Sequence, residues 1–320
     1  MSPLYPLLFE PVYQDYIWGG QRIAATYGRE IDLPVCAESW EISERAEGMS
    51  VVSNGPLAGT SLESLIDMHG EALLGQAGRF PLLIKIIDAA KTLSVQVHPN
   101  NDNAAQVNGE PKTEMWYILA ADPEACVYLG TEEGVDANTF ADAIKQGTVE
   151  ELLHRIPVKA GDAVFVPGGT MHAIGAGCLL MEVQQNSNTT YRVYDWGRVG
   201  HDGQPRELHI DQALTVTQWD GPGALLDFRT LSDDDAALVQ EVVRCPYFSM
   251  EDVALQGRLE LDTAQAGFHI LFGVSGKTRL VWKGGELVLG PGVSCLVPSS
   301  LGAYALDADG DSSRVLVVRS

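Results

Sequence analysis

Long apolar runs are missing from this 320-residue chain. The most apolar stretch, Phe80 to Ile87, is interrupted by Lys85 and falls far short of the roughly 20 apolar residues that a membrane span needs. No membrane association is expected. The N-terminal segment has prolines and a glutamate where a secretory signal would have a basic start. Positive charge is scarce as well: 21 Lys and Arg stand against 43 Asp and Glu, a net charge of −22. Such a surface repels phosphate backbones and argues against a nucleic-acid partner. A small anionic substrate would need local Lys or Arg to overcome that field. Cysteine is sparse, with five residues, an odd number and no CxxC. That usage fits buried, reduced thiols in a cytoplasmic protein rather than a disulfide framework.

Helical patterning is thin. Ser61 to Leu74 has a capping serine and leucines at helical spacing, with Gly70 inside it. Thr139 to Arg155 carries Phe140, Ile144, Val149 and Leu152 on one stripe, with Gly147 as a break. In Ser232 to Val243, Ser232 can cap and Asp233 to Asp235 suit a helix start.

Short strands dominate the rest. Phe80–Ile87, Thr92–Val97, Met115–Leu119, Ala125–Leu129, Ala163–Val166 and Leu179–Gln184 read as strands, and five more follow beyond about residue 245. Gly, Pro and Asp punctuate them about every ten residues, which indicates a β-sandwich or barrel. There is also an internal echo. Residues 160–174 (AGDAVFVPGGTMHAI) and 291–305 (PGVSCLVPSSLGAYA) align Gly161 with Gly292, Val166 with Val297 and Pro167 with Pro298. Two related β-barrel halves are expected, divided near residue 220. His172 falls on Ala303, so the second half lacks whatever His172 does.

Three segments concentrate chemistry. In Gln96-Val97-His98-Pro99, residues two apart share a strand face. Gln96 and His98 form either an unremarkable exposed face or a ligand pair. Lys112 and Glu114 are likewise two apart, as a solvated ion pair or a site pair. His172 follows the turn Pro167-Gly168-Gly169 and reads as a turn histidine or a ligand. Together the segments supply two imidazoles, a carboxylate and an amide, a set suited to a zinc-type ion with an open position. Glu182 lies in an apolar strand and needs a partner or a role. Arg192 shares a strand face with Tyr194 and Trp196. It can stack on those rings or hold a phosphate or oxyanion. His69, His154, His201, His209 and His269 have no partner motif.

These segments, with WGG at 18–20, ESWEIS at 38–43, LSVQVHP at 93–99, KTEMWYIL at 112–119, VPGGTMHAIG at 166–175 and EVQQNSNTTYRVYDW at 182–196, resemble the type I mannose-6-phosphate isomerases, more narrowly their short bacterial form. Order and spacing agree from about residue 8 to 220; the last hundred residues agree only in general character. The resemblance implies a mainly β fold of two cupin-type jelly-roll barrels with a few helices. A catalytic domain would span 1–220 and a metal-free cupin-like domain 221–320. It implies one Zn2+ per chain on Gln96, His98, Glu114 and His172, and an essential Arg192. Ser94 and Lys112 would line the sugar and phosphate site, with Glu182 in the same pocket. The implied reaction interconverts mannose 6-phosphate and fructose 6-phosphate through an enediolate. A base must then reach C1 and C2, and Glu182, Lys112 and a metal-bound water are all candidates. As a compact charge Lys112 suits the phosphate, while the planar fork of Arg192 suits the enediolate. The alternatives are another sugar phosphate or a non-catalytic, metal-containing sugar-binding protein. A monomer or small homo-oligomer is expected.

Overall fold

The computed structural model describes residues 4–200, 202–263 and 267–320; His201 lies outside them. The chain forms two compact units. One comprises 1–12, 40–81 and 227–320, the other 13–39 and 82–226. The sequence reading cuts the chain once, near 220; here the N-terminal third also contributes two segments to the unit that holds the C-terminus. Among the described residues no helix is long and apolar enough to cross a membrane.

The unit of 13–39 and 82–226 contains a five-stranded antiparallel sheet in the order Tyr191–Tyr194, Val95–Val97, His172–Ile174, Cys126–Thr131, Leu153–Pro157. A second sheet has Ala163–Val166, Glu114–Ala121, Cys178–Gln185 and Leu82–Ala89 as successive neighbours. Period-two alternation decides which residues meet between the sheets. Val127 and Leu129 pack with Trp116, Ile118, Leu180, Ile87 and Ile174 in that core. Their chain neighbours Cys126 and Tyr128 join Val95, Val97, Tyr191 and Val193 in another layer, with Phe140, Ala143, Ala213 and Val216. Those last four lie on the helices Ala137–Gln146 and Ile210–Val216.

The same alternation aims the polar residues. With Val95 and Val97 turned to the helices, Gln96 points the other way, inward. Lys85 precedes Ile87 and Ala89 on the inward face, Glu114 precedes Trp116 and Ile118, Glu182 follows Leu180, and His172 precedes Ile174. One end of the barrel interior is thus apolar core and the other is polar.

The other unit has an eight-stranded sheet running from Arg229–Asp233 to Val51–Val52 and a four-stranded sheet of Arg258–Asp262, Ala303–Ala308, Thr278–Trp282 and Gly285–Leu289. Leu271, Leu280, Cys295, Val297 and Leu306 are buried in its core. The echo is structural. Ala163–Val166 and Ser294–Val297 are both strands that end on a Val-Pro step. Gly161 and Gly292 before them both take positive φ, 89° and 76°.

The helical expectations fare unequally. Ser61 caps Leu62–His69, accepting from the Ser64 amide at 3.2 Å, and Gly70 separates that helix from Glu71–Leu74. The second helix starts earlier than expected, at Ala137, with the Asp136 carboxylate accepting from the Thr139 amide at 2.8 Å. Gly147 ends it, and Leu153–Pro157 is a strand. The expected helix at Ser232–Val243 is a hairpin of Arg229–Asp233 and Ala237–Arg244. There the Asp234 carboxylate accepts from the Ala236 and Ala237 amides at 2.9 and 3.0 Å, so the aspartates make a turn, and Val239, Val242 and Val243 favour the strand.

Candidate metal centre and active site

Four antiparallel registers assemble the cluster. His172 pairs with Gln96, and Gln96 with Arg192, across the five-stranded sheet. On the facing sheet Glu182 pairs with Lys85 and Trp116, and Gln184 with Glu114. The turn ahead of His172 is held by the Gly169 amide, which donates to the His98 carbonyl at 2.7 Å.

His98, Glu114 and His172 are each 1% exposed, and one ligand atom from each lies within 4.8 Å of the others. His98 Nε2 is 3.4 Å from Glu114 Oε2, and His172 Nε2 is 3.4 Å from Glu114 Oε1. His172 Nδ1 is 2.8 Å from the Thr170 carbonyl. Only a protonated Nδ1 can donate there, which assigns the tautomer and leaves Nε2 a bare lone pair facing the cluster. Burial holds the His98 pKa down to about 3, with Lys112 adding to it, and burial lowers that of His172. Both imidazoles are therefore neutral, as metal ligation requires. For Glu114, burial alone would raise the pKa, but its surroundings, the Lys112 ammonium foremost, hold it well below the usual carboxylate range. The Gln96 amide nitrogen is 3.3 Å from His172 Nε2; a flip of the amide presents its oxygen to the same space.

The arrangement passes a simple test for a metal. His98 Nε2 and Glu114 Oε1 have no hydrogen-bond partner among the described residues, while Glu114 Oε2 faces the Lys112 ammonium at 3.0 Å. Each unsatisfied buried group costs about 1–3 kcal/mol. A divalent ion of the zinc class would satisfy the two orphaned atoms at once, and a donor set of two imidazole nitrogens, a carboxylate and an amide oxygen suits it.

Beside the cluster is a cavity of about 220 Å³, lined by Trp18, Lys85, Gln96, Lys112, Glu182 and Arg192 among others. Lys112 Nζ lies 3.0 Å from Glu114 Oε2. Ser94 is buried, and its hydroxyl accepts from Arg192 Nε at 3.2 Å. Arg192 Nη1 donates to the Glu207 carbonyl at 2.9 Å. The shared face of Arg192, Tyr194 and Trp196 does not form. A register shift after Arg192 turns both rings into the helix-covered layer, and the guanidinium faces the cavity. Every residue singled out from sequence thus reaches one cavity or the cluster beside it.

Two residues were not singled out. Lys85 Nζ sits 3.2 Å from Glu38 Oε2 and 3.1 Å from Glu182 Oε2, and Trp116 Nε1 donates to Glu182 Oε1 at 3.1 Å. Burial works against the Lys85 charge, yet Glu182 and Glu38 together raise its pKa. Burial raises the pKa of Glu182. The available signal was Lys85 itself, a charge inside an eight-residue strand buried throughout.

Comparison with known proteins agrees with this geometry. A family model for the catalytic domain of type I phosphomannose isomerase matches residues 7–135, and one for the mannose-6-phosphate isomerase cupin domain matches 239–317. The mannose-6-phosphate isomerase ManA of Bacillus subtilis is 37% identical over 94% of this chain and 96% of its own. The crystal structure of mannose 6-phosphate isomerase from Bacillus subtilis superposes with a TM-score of 0.90 at 32% identity, covering 99% of this chain and 100% of that one. A zinc-bound mannose 6-phosphate isomerase shares the fold at TM-score 0.78 and 20% identity, covering 99% and 100%. Fold and site thus define a cupin protein with a buried histidine–glutamate cluster in its barrel that could hold a metal ion. The chain belongs to the type I mannose-6-phosphate isomerase family.

Proposed function

We propose that the chain interconverts mannose 6-phosphate and fructose 6-phosphate by proton transfer between C2 and C1. The observation that carries this reading is the buried His98–Glu114–His172 cluster opening onto a cavity that also presents Lys112, Glu182 and Arg192. Gln96, His98, Glu114 and His172 would hold one zinc-class ion per chain. Such an ion would supply Lewis acidity that offsets the negative charge of the enediolate. Glu182 is the proton carrier. Its carboxyl lines the cavity and is fixed by Trp116 and Lys85, and burial raises its pKa above the ordinary carboxylate value, the direction that favours a group exchanging a proton. Arg192, oriented by Ser94 and the Glu207 carbonyl, offers its fork to the two adjacent enediolate oxygens. Lys112, expected from sequence at the phosphate, pairs with Glu114 beside the cluster, and on this reading it meets the sugar oxygens. The five free cysteines, four of them buried, suit a reducing cytoplasm, where the chain would act as a monomer or small homo-oligomer.

The test is a metal-dependent assay with mannose 6-phosphate, glucose 6-phosphate and the free sugars. Turnover of mannose 6-phosphate alone, lost with chelator and restored with zinc, is the expected result. Binding without turnover would replace this reading with that of a sugar-binding protein.

A further inference from the structure

Two cavity lysines stand in ion pairs, Lys112 with Glu114 and Lys85 with Glu38 and Glu182. A further cation lies elsewhere on the cavity wall. Moving across the sheet from His172 through Gln96 to Arg192 leads away from the metal cluster. One step beyond, next to the Glu207 carbonyl that Arg192 engages, is Arg206, which also lines the cavity.

Arg206 is built into place. Asp195, 7% exposed, takes its guanidinium at two points, Nε to Oδ2 at 2.7 Å and Nη2 to Oδ1 at 2.6 Å. The same carboxylate takes Arg198 Nε at 2.9 Å, and Arg198 Nη1 is spent on the Thr92 carbonyl at 2.5 Å. One carboxylate therefore anchors two guanidinia, leaving one positive charge over. Nη1 of Arg206 has no partner among the described residues. A preorganised guanidinium with a free N–H edge on the wall of the cavity is the geometry that a phosphate dianion recognises.

We infer that Arg206, fixed by Asp195, holds the substrate phosphate and selects the phosphorylated sugar over the free one. The inference rests on the isomerase reading above and adds to it the group that sets specificity. It also resolves a difficulty of charge: a chain of net −22 binds a dianion only where short-range cations outnumber their counter-ions.

The test is Arg206→Gln in the zinc-loaded enzyme, with Arg206→Met, which keeps the apolar stem, in its place if the first does not fold. KM for mannose 6-phosphate should rise by about 10- to 100-fold, with kcat falling far less, the signature of a contact made equally in ground and transition states. Calorimetric affinity for inorganic phosphate should fall by a similar factor. A merely structural pair would lower thermal stability and leave phosphate affinity where it was. A folded variant whose KM and phosphate affinity stay within about twofold of wild type overturns the inference. Because phosphate binding needs no turnover, the two failures separate. Wild type that isomerises while the variant keeps its KM removes only the role of Arg206. Wild type that binds phosphate through Arg206 and isomerises nothing removes only the activity.

Discussion

Single residues carry the metal and the proton chemistry, and each makes its own prediction. His98→Ala and His172→Ala each remove an imidazole from a closed N/O set. Metal affinity should drop by more than about 100-fold in both, with the circular dichroism of a β protein retained; full metal content in both folded variants would refute the ligand set. Arg192→Ala should lower kcat by about 100-fold or more with KM much less affected, because the fork meets charge that develops only in the enediolate; steady-state kinetics decide it, and a pure KM effect would move Arg192 to ground-state binding. Period-two spacing put Gln96 with His98, and Lys112 with Glu114, on common strand faces but left each pair between a solvated face and a site; the ligand set itself came from the family resemblance. Lys85 and Glu38 were not legible. A lysine inside FPLLIKII reads as an interruption until the facing strand supplies Glu182, and strand pairing across 97 residues has no local signature.

At the scale of elements, local chemistry was readable where it acts over a few residues. Ser61 caps its helix because its hydroxyl needs only the amide of Ser64. Asp136 does the same for Ala137–Gln146 and was missed, since Asp136 and Thr139 both suit a helix start. Asp136→Ala should weaken the helix start modestly, read as a lower urea midpoint with unchanged activity in the folded range. The hairpin at 229–244 shows the opposite case. Ser232 followed by three aspartates has the composition of a helix start, but Asp234 serves a turn and tertiary pairing with Ser249–Leu255 claims Ala237–Arg244 as a strand. Propensity is a weak prior against a sheet that buries one face. The Val-Pro echo succeeded for a related reason: a glycine at positive φ, a strand and a proline stop form a unit short enough to be repeated legibly.

For the molecule as a whole, the balance of buried charge sets its response to pH and to metal. His269 is fully buried, its Nδ1 2.7 Å from the Tyr304 hydroxyl and its Nε2 3.0 Å from Arg319 Nη1, with Arg319 paired to Glu251 at 2.7 Å. Burial, reinforced by Arg319, lowers its pKa from 6.5 to about 3. The unfolded chain therefore takes up a proton below about pH 6.5 that the folded chain refuses, so stability is complete above that pH and falls as pH drops towards 3. Between pH 7 and 5 this one group should remove about 2 kcal/mol. Urea titrations of wild type and His269→Gln at both pH values check it: the variant should lose less on acidification, and parallel losses would show that His269 is not the cause.

The central claim is that the buried cluster holds the ion on which isomerisation depends. Its most direct measurement is zinc titration into chelator-stripped protein, following the mannose 6-phosphate to fructose 6-phosphate rate and bound metal together. Activity should rise in proportion to bound zinc and level off at about one ion per chain, as a single four-ligand site requires, with His98→Ala flat throughout. Full turnover by stripped protein, or activity that climbs without bound metal, would contradict it.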